Sequence, residues 1–144
     1  MNGKSFDIQH NSVEKLCDFF PSISSEGRID SEKLSAVLDL LVSSLKSMDP
    51  YKIILFGSYA NGNPDEHSDI DLMVVLDNNH IAETYQEYLD KRLRVKKSVI
   101  EINRKVPLDI LVYSKEELNI VKEYGNYFVK EVEKTGKIIY EKTI

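Results

Sequence analysis

The chain has 144 residues, 30% of them charged and 42% apolar, with a formal net charge of −5. Those values suit one ordered globular domain with a real core and exclude two full ones. The acidic balance weighs against direct nucleic-acid binding through a general positive field, and no apolar run approaches the ~18 residues that a bilayer span needs.

In chain order, the polar stretch Met1–His10 lacks the apolar region of a signal peptide, so the expected location is cytoplasmic with no membrane contact. Asn11 with Glu14 resembles a capping box, and Val13, Leu16, Cys17 and Phe20 recur at helical spacing up to Pro21, which predicts a first helix over 12–20. Cys17, the only cysteine, reads as a small buried hydrophobe, and no Cys/His cluster has zinc spacing. Residues 22–28, polar and with a glycine, read as a loop. Asp30 or Ser31 then caps a second helix with the stripe Leu34, Val37, Leu38, Leu41 and Leu45, ending near Asp49-Pro50. Tyr51–Phe56, bounded by proline and glycine, predicts the first core strand, and a Gly57-Ser58 turn follows it.

Ile70 and Leu72–Val75 predict a second strand buried on both faces, opened by Asp69 and Asp71. After a turn at Asp77-Asn78-Asn79, the positions Ile81, Tyr85, Tyr88, Leu89 and Leu93 mark a long helix whose pattern fades beyond Val95. Pro107 ends that region, and Leu108–Tyr113 predicts a third strand whose single charge is Asp109. Ser114 with Glu117 caps a further helix. Tyr124-Gly125-Asn126 interrupts it, Phe128, Val129 and Val132 continue to Gly136, and Lys137–Tyr140 can close the fold as a short strand.

Chemistry gathers around three acids. Residues i and i+2 of a strand share a face with Cα atoms roughly 6.6 to 6.8 Å apart, so Asp69 and Asp71 aim into one volume. Like charges that close raise each other's pKa and are costly unless a cation or strong donors neutralise them. Taken alone, the pair also suits a solvated loop edge, and Gly-Ser alone an ordinary turn. Asp109 strengthens the metal reading, because an unpaired charge inside an apolar strand is expensive; pairing with Arg104 or Lys105 is the structural alternative. At position 57 glycine permits close ligand approach, and Ser58 offers a hydroxyl and an amide to phosphate. The basic cluster Lys91, Arg92, Arg94, Lys96, Lys97, Arg104 and Lys105 reads as a solvated helix face or as a surface for triphosphate or an acidic partner. His67 reads as an exposed loop residue, and Tyr85, Tyr88, Tyr124 and Tyr127 as core or interface residues.

Gly57-Ser58, a ten-residue spacer, Asp69-x-Asp71 and the later strand aspartate Asp109 together resemble the minimal nucleotidyltransferases of the DNA polymerase beta superfamily, in particular the antitoxin enzymes paired with HEPN-domain ribonuclease toxins. The resemblance implies an α+β fold, a mixed sheet flanked by helices over 29–144, with 1–28 as an N-terminal helical extension. It implies Gly57 and Ser58 as triphosphate contacts, and Asp69, Asp71 and Asp109 as ligands of two Mg²⁺ ions, Asp109 on the side of the attacking hydroxyl. Many members carry arginine where Asn61 stands, so any phosphate contact from that arginine must come from elsewhere. The implied activity is transfer of a nucleoside monophosphate, AMP from ATP, to a hydroxyl of a partner protein such as a HEPN toxin. A non-catalytic toxin-binding module and a small-molecule nucleotidyltransferase acting as a homodimer are the rivals.

Overall fold

The structure, a computed structural model, describes residues 30–143. The expected helix over 12–20, Cys17 and the extension 1–28 lie outside the described residues. Helix α1 spans Ser31–Leu45; Asp30 is its N-cap, with Oδ1 accepting from the Lys33 amide at 2.9 Å. Its predicted stripe faces inward: Val37, Leu41 and Leu45 are buried, and Leu34 and Leu38 pack against the same core. A 3₁₀ turn over Lys46–Met48 leads into β1, Pro50–Phe56. The short helix α2, Ser58–Asn61, follows Gly57, and β2 spans Ile70–Leu76.

Helix α3 covers Tyr85–Ser98, α4 Ile100–Asn103 and β3 Leu108–Ser114. Then come α5, Lys115–Glu123, α6, Tyr127–Thr135, and β4, Lys137–Glu141. The predicted capping box is present: the Ser114 hydroxyl accepts from the Glu117 amide at 3.1 Å, and Glu117 Oε1 accepts from the Ser114 amide at 2.9 Å. Gly125, in the left-handed region at φ +76, separates α5 from α6, which Asn126 caps.

Among the described residues the strands form one sheet in the order β3-β2-β1-β4, with β2 and β3 parallel and the other neighbours antiparallel. One face carries Ile53, Leu55, Ile70, Leu72, Val74, Ile110 and Val112 under α1, α2, α3 and α4. The other carries Ile54, Met73 and Val75 under α5 and α6. Strand β2 is one of the two inner strands and is buried along nearly its whole length, as its apolar run, interrupted only by Asp71, predicts.

Helix α3 departs from its expected pattern. Thr84 caps it, so Ile81 lies ahead of it and is 43% exposed, and Tyr85, Tyr88 and Leu93 also face water. The buried residues of α3 are instead Lys91 and Val95, and the line continues through its C-cap Val99 to Ile102 of α4. The sequence pattern misleads because a lysine holds the first position of the inward stripe. That lysine is an ion-pair partner of Glu117, which also accepts from the Ala82 amide at 3.0 Å. The pair ties α3 to α5 and to the segment between β2 and α3. The four tyrosines are not core: Tyr124 and Tyr127 are also exposed.

Candidate functional site

The acids stand where β1 ends and β2 and β3 begin. Asp71 is paired in register with Phe56 on β1 and with Asp109 on β3, and directly paired residues of neighbouring strands project to the same side. All three therefore share the sheet face that α5 and α6 cover farther along. Asp69 precedes β2 in a loop fixed by its own hydrogen bonds: Asp65 Oδ1 accepts from the His67 amide at 2.8 Å, and Ser68 Oγ accepts from the Asp65 amide at 2.8 Å. The Ile70 amide donates to Pro107 O at 3.0 Å, joining this loop to the start of β3.

Gly57 has φ +76, a conformation that side-chain-bearing residues rarely adopt, and a Cβ there would overlap Asp71 Oδ2. The Asp71 carboxylate thus lies against the bare backbone of the turn. Ser58, half-buried, begins α2 immediately beside it. Burial raises the Asp71 carboxyl from 3.8 to about 6, with Asp109 and then Asp69 adding like-charge repulsion. The two neighbours are felt at Asp71, which puts the three acids in one electrostatic neighbourhood.

Asp109 and Asp69 are themselves exposed. The expectation that burial makes Asp109 costly is therefore corrected: β3 is an edge strand, its first residues are open to water, and register rather than desolvation brings Asp109 beside Asp71. Arg104 is engaged with Glu101 at 2.5 Å. Among the described residues, no three His, Cys, Asp or Glu side chains are close enough, as they stand, to hold a metal ion together. The donor set is nonetheless of the kind a hard cation takes: carboxylate oxygens, one of them with a raised pKa that a nearby positive charge would relieve.

Other expectations fare unevenly. His67 is exposed and pairs with Glu66 at 3.3 Å, away from any role the geometry assigns. The basic cluster is not one surface: Lys91 is buried against Glu117, Arg92 lies over the Tyr88 ring at 5.5 Å, and Arg94, Lys96 and Lys97 are exposed. The sequence reading also missed an aromatic pair beside the acids. Phe56 and Phe128 meet edge to face with centroids 5.6 Å apart. Phe56 next to the Gly-Ser turn was the available signal, but nothing local joins it to α6.

No helix of the described residues is long and apolar enough to cross a membrane. A protein described as a candidate protein adenylyltransferase from Methanocaldococcus jannaschii is 44% identical over 61 residues, 40% of this chain, and the match spans 60% of that relative's length. A solved structure described as a candidate nucleotidyltransferase from Sulfolobus solfataricus superposes with a TM-score of 0.39 and 15% identity, over 91% of this chain and 88% of that one. The family model of the polymerase beta nucleotidyltransferase domain matches residues 41–144, which include the Gly-Ser turn, all three acids and every strand of the sheet. By that match, the chain belongs to the polymerase beta nucleotidyltransferase family.

Proposed function

We propose that this nucleotidyltransferase moves AMP from ATP to a side-chain hydroxyl of a partner protein, with a HEPN-type toxin as the acceptor. The observation that carries the reading is Asp71, lodged against the backbone of Gly57, in register with Asp109 and raised to about 6 by burial and its two acidic neighbours. A protein acceptor is supported by the description of the archaeal relative.

In this reading, Gly57 admits the triphosphate to the main chain because it has no Cβ, and the Ser58 hydroxyl donates to a phosphate oxygen. Asp69, Asp71 and Asp109 would hold Mg²⁺, which would supply charge neutralisation to the triphosphate and the departing pyrophosphate. Asp109 would serve the side of the attacking hydroxyl, a role supported by its exposure on the edge strand. The chain's own contribution is positioning: the turn fixes the phosphates, and the register of three strands fixes the acids relative to them. The experiment is incubation of the protein with ATP labelled on the α-phosphate, Mg²⁺ and a HEPN-type partner. Label on the partner, lost with Asp71→Asn, is the expected result; an unlabelled partner at saturating ATP contradicts the reading.

A further inference from the structure

The geometry points to Phe128 as the platform on which the base of the nucleoside triphosphate stacks, with Phe56 as its backing. This rests on the nucleotidyl-transfer reading and specifies how the same site holds its nucleotide. Phe56 lies one residue before the Gly57-Ser58 turn and is the cross-strand partner of Asp71, so its ring rises from the same sheet face as the carboxylates of Asp71 and Asp109. Phe128 meets that ring edge to face at 5.6 Å and 82°.

Two features make Phe128 a platform instead of a piece of core. It is 51% exposed, whereas its neighbours Val129 and Val132 are buried beneath α6 against Ile54, Met73 and Val75. The helix is thereby anchored while half of Phe128 stays open to solvent, in edge-to-face contact with Phe56. Register therefore links Asp71 to Phe56 across the strands, and the ring contact links Phe56 to Phe128, so the acid and the exposed ring are joined through one intervening side chain. An aromatic face accepts every base, so the contact supplies affinity with modest base selectivity.

The test compares binding of Mg·ATP with binding of magnesium tripolyphosphate, which has the phosphates and no base, by isothermal titration of the wild-type protein and of Phe128→Ala, Phe128→Tyr and Phe128→Leu. We expect Phe128→Ala to weaken ATP about tenfold or more, within the range that base–aromatic stacking supplies, and to leave tripolyphosphate unchanged. Phe128→Tyr, which keeps the ring, should stay within about threefold of wild type, with Phe128→Leu between. Unchanged ATP binding by Phe128→Ala overturns the proposal while leaving nucleotidyl transfer intact. Equal weakening of both ligands also overturns it, since that marks a structural role. A wild-type protein that binds neither ligand removes the transfer reading itself, and the platform with it.

Discussion

A methyl group is forbidden at Gly57 for two separate reasons: the backbone lies at φ +76, and the Cβ would occupy the space of Asp71 Oδ2. Gly57→Ala should therefore destabilise the protein by about 2 kcal/mol or more, from backbone strain of ~1–3 kcal/mol plus displacement of the carboxylate. Urea unfolding measures the loss, and Mg·ATP titration should show weakened binding. Asp71 makes a pH prediction. Its folded pKa, about 6, lies above the ordinary 3.8, so the folded state holds this proton more tightly than the unfolded chain does. The stability conferred is fully present below about pH 4 and is lost as pH rises through about 6. Asp71→Asn should abolish transfer in the presence of Mg²⁺, yet in metal-free buffer it should be more stable than wild type at pH 7.5, by no more than about 1 kcal/mol once solvent screening is allowed for. Melting curves from pH 4 to 8 check this, and a constant gap between the two proteins across that range would contradict it.

Among the elements, α3 shows how a single charged residue can disguise a helix face. Lys91 is 4% exposed and its ammonium pairs with Glu117, itself held by the Ala82 and Ser114 amides. Breaking a buried pair strands the remaining charge, so Lys91→Ala should cost about 3 kcal/mol or more. Lys91→Met combined with Glu117→Gln should recover part of that loss, because no charge is left unpaired and the Gln carbonyl still accepts from one of the two amides. Urea denaturation of the single and double variants distinguishes a working pair from mere packing of the lysine stem. At the N-terminus of α5, Ser114→Ala removes one half of the capping box and should cost about 1 kcal/mol by the same measurement.

For the whole molecule, one end of the sheet is tied by charge pairs and the other is open. At the closed end Lys142 donates to Asp49 at 2.8 Å and Asp77 at 2.6 Å, while Lys115 pairs with Asp77 at 2.7 Å, clamping the start of β1 to the ends of β2, β3 and β4. These partners hold the Asp77 carboxyl below its usual value and push Lys142 up. At the open end, burial and then the neighbouring Asp109 and Asp69 raise the Asp71 carboxyl instead. A divalent ion binding there stabilises the folded state by mass action. Mg²⁺ should therefore raise the melting temperature of the wild-type protein and should raise it little in Asp71→Asn or Asp109→Asn; identical Mg²⁺ shifts in all three would place the ion elsewhere.

Local signals were legible wherever the chemistry is local. Asp30, Ser114 and Asn126 stand at helix starts because short polar side chains satisfy free amides within three residues, and the apolar run after Asp71 became an inner strand because its length and β-branched content suit burial on both faces. The Gly-Ser turn and the Asp-x-Asp pair were readable for the same reason, being fixed by spacing along one segment. What the sequence could not specify was which segments become neighbours. The parallel register that sets Asp109 beside Asp71, the rotation of α3 that buries Lys91, and the meeting of Phe56 with Phe128 all join residues more than 25 positions apart. Periodicity and capping act within a few residues, whereas strand register and helix facing are decided by the packing of the whole core.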